Sequence, residues 1–375
     1  MACVAAAASA SVLDARMARG ANLALPSRAY QGALRVRGGA AARQPLPRQP
    51  VPATPGPSAA TTVPAPQSSA AHTAKVGSYF ALWYILNIAY NIFNKKMLNA
   101  VPLPWTMATA QLGTGLLYIL PVWLLRLRAA PQLSLDNIKG LTGITACHTA
   151  GHIMTVISLG AGAVSFTHIV KAAEPLFSTL MSAIVLKSTF PWQVYMTLLP
   201  IVAGVAIASM TELTFSWVSF LNAMGSNTAF SLRAIFSKMA MNKPQGKNMT
   251  PPNLYAVLTI MAFIGVLPLT LLVEGSKIQS AFETGIAGYV GGANKFWTHF
   301  FACGLSYYLY NEVAFLALGQ VHPITHAVGN TIKRVVILIA SVIAFGTKMR
   351  PMSIAGSAMA VSGTLLYSLA KSKYA

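Results

Sequence analysis

From residue 76 onward the chain is a succession of long uncharged stretches, broken by short clusters of Pro, Gly, Lys and Arg. Uncharged runs cover 76–94, 97–125, 140–170, 188–211, 213–232, 248–273 and 351–370. Each is near or above the roughly 18 residues that mark a membrane-crossing helix. So many runs of that length exceed what the core of one soluble globule can bury. A bilayer offers the backbone no water, so crossing segments close their hydrogen bonds internally, as helices. Punctuation by Pro, Gly and charge divides the region into ten predicted spans, near 77–97, 105–125, 140–160, 164–186, 192–211, 216–237, 254–273, 296–318, 323–345 and 352–371. The longest predicted loops are 238–253 and 274–295. The expected class is an all-α membrane protein.

Residues 1–75 differ in kind. They are rich in Ala, Pro, Arg and Ser, with eight Arg or Lys and a single acid, Asp14. This acid-poor, basic composition is that of an organelle transit peptide. The Pro-rich stretch 45–66 reads as a disordered spacer. The expected organisation is a leader over 1–75 and a ten-helix membrane domain over 76–375.

Composition narrows the function classes. The chain is 55% hydrophobic and only 9% charged, with a formal net charge of +20. Its basic residues form no solvated arm interleaved with aromatics, so nucleic acid is not the expected partner. Three cysteines, Cys3, Cys147 and Cys303, give neither a disulfide framework nor a metal spacing, and no cofactor is expected. An intramembrane hydrolase would need a nucleophile or metal set, and no Gly-x-Ser-x-Gly or His-Glu-x-x-His occurs. The chain is therefore not expected to be an enzyme.

The two halves resemble each other. Leu159-Gly160 precedes Ser165-Phe166-Thr167-His168, and Leu318-Gly319 precedes Pro323-Ile324-Thr325-His326. Lys171 follows the first Thr-His pair and Lys333 the second. This predicts two five-helix repeats, about 76–212 and 213–375. An odd number of helices per repeat inserts the second copy upside down, a transporter signature with the site near mid-membrane. Loop charges lean ten against six toward the side holding both termini, Arg128 being counted there, which does not fix orientation.

Basic residues inside the spans are the candidate chemistry. Thr167, Lys171 and Glu174 stand at i, i+4 and i+7 and would share one helix face; His326, Asn330 and Lys333 repeat that spacing, with Arg334 alongside. A charge at bilayer centre costs at least about 2.5–3.5 kcal/mol, so these faces must line a cavity or pair. Glu174 and Glu312 are the candidate acids against Lys171, Arg233, Lys333 and Arg334. Glu174 is placed to offset Lys171. Even full pairing leaves two cations over, so an anion should complete the site. A phosphate dianion suits both the guanidinium fork and the ammonium point charge. His152 and Thr155 add donors on the third span, and Tyr310 adds a hydroxyl on the eighth. His168 and His326 read as packed, hydrogen-bonded histidines. An empty cluster would resist occlusion, which predicts obligatory exchange.

Gly151-His152, Ser165-Phe166-Thr167-His168, Lys171, Glu174-Pro175 and Thr325-His326-Ala327-Val328-Gly329-Asn330 with Lys333-Arg334 closely resemble the plastid phosphate translocators of the drug/metabolite transporter superfamily. The likeness runs over nearly all of 78–373. It implies a carrier of the plastid inner envelope that exchanges inorganic phosphate for phosphorylated metabolites. It also implies a phosphate grip at Thr155, Lys171, Lys333 and Arg334, with His152, Arg233 and Tyr310 on the rest of the substrate. His152 and Thr325-His326-Ala327-Val328 are similar to the triose-phosphate branch, whereas 189–212 looks more like the hexose branch. The expected substrates are triose phosphate and 3-phosphoglycerate. Hexose phosphate, phosphoenolpyruvate and, in a secretory membrane, nucleotide sugars are the alternatives. The other expected partner is membrane lipid, and oligomeric state is open between monomer and homodimer.

Overall fold

The computed structural model describes residues 70–240, 246–318, 320–321 and 323–374. The leader expected over 1–75 lies outside the described residues except for 70–75, which form the first turns of a helix. In chain order the helices are α1 (Ala70–Ala100), α2 (Pro104–Leu124), α3 (Leu135–Ala161), α4 (Val164–Lys171), α5 (Glu174–Leu186), α6 (Trp192–Met196), α7 (Leu198–Met210), α8 (Trp217–Ala240), α9 (Pro251–Ala287), α10 (Gly292–Leu318), α11 (Pro323–Phe345) and α12 (Pro351–Tyr374). Among the described residues there is no sheet, only an isolated bridge between Gln132 and Lys247. The fold is all-helical, as the uninterrupted apolar runs predict.

The predicted spans fall on these helices with two differences. The predicted loop 274–295 is mostly helix: α9 continues to Ala287 and α10 begins at Gly292. Glu274 explains why a charge does not end α9 there. It is buried, and its carboxylate accepts from the backbone N–H groups of Trp105 and Thr106 at 3.2 and 2.7 Å and from the Thr106 hydroxyl at 2.8 Å. Those N–H groups open α2 and have no acceptor inside their own helix. A carboxylate also complements the positive end of a helix dipole.

The fourth and fifth spans are each broken. α4 and α5 part at Ala172–Ala173, and α6 and α7 at Thr197. The cause in both is a proline three residues on. Pro175 and Pro200 have no N–H to give to the carbonyls of Lys171 and Met196, and their rings crowd those carbonyls. Thr167, Lys171 and Glu174 therefore do not share one continuous helix face. Neighbouring helices satisfy the carbonyls near the first break. Asn227 Nδ2 donates to Val170 O at 3.1 Å and Thr364 Oγ1 to Ala172 O at 3.1 Å. Broken helices survive at membrane depth only with such help.

Packing is pairwise. α3 lies along α8, α1 along α10, α7 along α12, and α2 against α9 and α10. The α7–α12 contact is a close backbone approach. A Cβ built on Gly356 would stand 2.8 Å from both Ala208 N and Gly204 O. Such small-residue seams substitute for a hydrophobic drive, which lipid does not provide between helices. Large apolar side chains face outward, among them Leu117, Ile184, Leu199, Leu272 and Ile343. Six described helical segments are long and apolar enough to cross a membrane: Pro104–Leu124, Val164–Leu186, Trp192–Met210, Pro251–Ala287, Val328–Phe345 and Pro351–Tyr374.

A cationic cavity between the helices

A cavity of about 440 Å³ is lined from α1, α3, α4, α5, α8, α10 and α11. Its wall includes all seven residues singled out in the sequence: His152, Thr155, Lys171, Arg233, Tyr310, Lys333 and Arg334. Lys171 and the Lys333-Arg334 pair, 162 residues apart by subtraction of their numbers (333 − 171), share this one wall. The break after Lys171 turns the chain so that Glu174 also reaches the cavity from the start of α5.

Charge is far from balanced there. Four cations, Lys171, Arg233, Lys333 and Arg334, line the cavity against one carboxylate, Glu174. Glu174 pairs with Arg334, not with Lys171 as the spacing suggested. Glu312 is not available to the cavity either. It pairs with Arg128, whose Nη2 stands 2.5 Å from Oε1, both side chains being buried. Arg128 is accordingly no solvated loop charge. The sequence offers two acids to four cations; the folded chain supplies one. Among the described residues, neither Lys171 nor Lys333 has a carboxylate at ion-pair distance.

The remaining cations rest on neutral groups. Lys171 Nζ donates to Thr155 Oγ1 at 3.1 Å and to Ser226 Oγ at 2.5 Å. Its ammonium also lies 4.7 Å from the centre of the Phe230 ring, and the Arg233 guanidinium stands 4.9 Å from that ring. Lys333 Nζ sits 4.5 Å above Trp83. Such cation–π contacts contribute on the order of 0.5–2 kcal/mol each, well short of a buried counter-charge. Arg233 Nη1 donates to His148 Nδ1 at 3.0 Å.

The histidines are ordered by neighbours. His152 Nε2 faces the Ala108 carbonyl at 3.3 Å; a carbonyl only accepts, so this nitrogen carries a proton. The ring stacks on Tyr307 with centroids 4.1 Å apart. His168 Nε2 donates to Asn91 Oδ1 at 2.8 Å, since Asn91 Nδ2 is used on Asn87. His326 stacks on Trp83 at 5.0 Å. The expectation that His168 and His326 are packed fits these contacts, though both also border the cavity.

Sequence reasoning missed several wall residues. His148 lies one turn before His152 on the same face of α3, and that i, i+4 spacing was the available signal. Phe230 and Trp83 on the wall, and buried Ser226, which is not itself a lining residue, act only through the cations that the fold brings to them, and no local pattern marks them. Among the described residues no His/Cys/Asp/Glu cluster has metal-binding geometry.

Comparison with known proteins gives the family. The sequence profile of the Triose-phosphate Transporter family matches residues 74–368. Glucose-6-phosphate/phosphate translocator 2 of Arabidopsis thaliana, a chloroplastic protein, is 42% identical over 306 residues, covering 82% of this chain and 78% of that protein. The xylulose 5-phosphate/phosphate translocator of the same plant is 40% identical, with coverage of 81% and 72%. The triose phosphate/phosphate translocator of Spinacia oleracea is 40% identical, with coverage of 79% and 72%. This chain, helical in its described residues and with four cations and one carboxylate lining a cavity, is matched by the family's profile over 74–368 and belongs to the Triose-phosphate Transporter family.

Proposed function

We propose that this chain is an obligate antiporter that exchanges inorganic phosphate for small phosphorylated metabolites across the plastid inner envelope. The observation that carries the reading is the excess of three formal positive charges in the cavity wall, four cations less one carboxylate. A buried charge without a partner is expensive, and a phosphate dianion neutralises most of that excess. Thr155, Lys171, Lys333 and Arg334 grip the phosphate group; His152, Arg233 and Tyr310 contact the remainder of the substrate. Closing the empty cavity would strip water from unneutralised cations. Closing it around phosphate or a sugar phosphate would not. Exchange without net flux follows from that difference.

Ten spans in two inverted repeats complete the proposal. Joining α4 with α5 and α6 with α7 makes ten rods. Adding five to each rod number carries the third–sixth packing pair onto the eighth–first pair, and maps the fifth–tenth, second–seventh and fourth–ninth pairs onto themselves. Cavity-lining rods one, three and four likewise map onto six, eight and nine. The four rods outside the six apolar ones, α1, α3, α8 and α10, also turn polar side chains into the cavity, among them Asn87, His152, Arg233 and Tyr310. Their outward faces still carry Ile85, Ile138, Leu221 and Phe301.

The three relatives are named for sugars of different length at nearly equal identity, so likeness alone does not choose among them. His152 and Thr325-His326-Ala327-Val328 favour triose phosphate and 3-phosphoglycerate. Residues 1–75 serve as the plastid-targeting leader. The test is counter-exchange in proteoliposomes loaded with phosphate and offered labelled triose, pentose and hexose phosphates. Uptake into phosphate-loaded vesicles should exceed uptake into unloaded ones by at least about tenfold, each tenfold being about 1.4 kcal/mol of barrier. Equal rates in both would overturn the reading.

A further inference from the structure

His148 stands beside the seven residues assigned above, and nothing so far gives it a task. It is almost wholly buried, at 1% exposure, on α3 one turn from His152. Its Nδ1 accepts from Arg233 Nη1 at 3.0 Å. A guanidinium has donors only, so Nδ1 is unprotonated and the ring's proton sits on Nε2. That Nε2 is buried and has no acceptor among the described residues. Leaving a buried donor unmet is costly. A histidine kept only for packing would be expected to shed that cost. The ring is instead committed to one bond, the one to Arg233.

The surroundings hold that bond in place. The His148 ring meets Tyr255 edge-on at 5.9 Å and lies 6.3 Å from Phe230. Phe230 in turn lies under the Arg233 guanidinium at 4.9 Å. Gly151 makes the room: a Cβ there would stand 3.0 Å from the Phe230 ring. Arg233 is thus fixed at its edge by His148 and on its face by Phe230. His148 and Thr155 are seven residues apart, about 10 Å along the helix at 1.5 Å per residue. Along α3, Thr155, to which Lys171 donates, marks one end of that length and His148, to which Arg233 donates, the other, the two cations sharing the Phe230 ring.

We infer that His148 is a positioning residue that aims Arg233 at the part of the substrate beyond the phosphate group, and so sets discrimination between a sugar phosphate and inorganic phosphate. The inference rests on the antiport reading. An Arg233 freed from His148 would swing on its flexible stem and lose its fixed approach. Inorganic phosphate, held at the far end, would feel the loss less than a sugar phosphate does.

The experiment compares His148→Leu, His148→Asn and His148→Gln in the full chain, in phosphate-loaded proteoliposomes. Wild-type phosphate self-exchange is measured first; its absence would sink the antiport reading and not this one specifically. With it present, His148→Leu should raise KM for triose or hexose phosphate about tenfold, as loss of one hydrogen bond to a charged group allows, and raise KM for phosphate far less. Asn carries its oxygen near the place of Nδ1 and should restore the ratio; Gln, which reaches toward the place of Nε2, should not. Equal loss for both substrates, equal behaviour of Asn and Gln, or an unchanged ratio in the Leu variant would each overturn the inference. Thermal unfolding of each variant in detergent separates a folding defect from a shifted ratio, and a Leu variant that fails to fold leaves the Asn-against-Gln contrast to decide.

Discussion

The buried charges outside the cavity and those inside it differ in one respect. Outside, buried Arg128 and Glu274 and half-buried Lys95 each have a counterpart built in. Arg128 has Glu312. Glu274 has the opening N–H groups of α2. Lys95 donates to the carbonyls of Leu159 and Gly162, both at 2.9 Å, and of Gly160 at 3.3 Å, where the negative end of α3 welcomes a cation. Inside, Glu174 serves Arg334, but Lys171 and Lys333 have hydroxyls and aromatic faces and no carboxylate among the described residues. The contrast teaches that a buried charge is not by itself a sign of function. The sign is a charge whose partner the fold withholds.

Variants can break that comparison. The largest effect belongs to the cavity. Lys171→Met and Lys333→Met should each lower phosphate exchange at least about a hundredfold, since a charge-assisted contact to phosphate contributes about 1.5–3 kcal/mol or more where water is excluded. Exchange within a few fold of wild type would remove these residues from the site. The next effect belongs outside. Arg128→Met leaves Glu312 buried and alone, which should destabilise the protein by about 3–5 kcal/mol. A lower unfolding midpoint in detergent would register it, and Arg128→Met combined with Glu312→Leu should recover much of the loss. The smallest effect has the opposite sign. Empty Lys171→Met and Lys333→Met should be more stable than empty wild type, by about 1–2 kcal/mol, because each removes an uncompensated buried cation. Phosphate should raise the wild-type midpoint and not theirs. Matching destabilisation by Arg128→Met and Lys333→Met would erase the distinction between the two regions.

How much of the site was legible follows from the same energetics. Lys171, Lys333 and Arg334 stand out in any apolar run because lipid tolerates no charge cheaply, and the repeated Thr-His spacing hints that they meet. His152 and Thr155 follow from spacing on α3. Which acid serves which cation was not legible. Glu312 looks like a partner for the cavity until Arg128 reaches it from the α2–α3 connection. Glu174 sits three residues from Lys171 in sequence, yet the Pro175 break turns it toward Arg334. Likewise, Glu274 marked a loop in sequence and caps a distant helix in space.

The sequence alone determined the helical class, the approximate helix boundaries and the presence of cations that demand a cavity. All three depend on local composition measured against one uniform solvent, the bilayer. Only the tertiary structure decided how those cations are satisfied: Arg128 by Glu312, Arg334 by Glu174, Arg233 by His148, and Lys171 and Lys333 by no carboxylate among the described residues. Pairing depends on side-chain tips a few ångströms apart, brought together from helices far apart in the chain, and no pattern along the chain records that proximity.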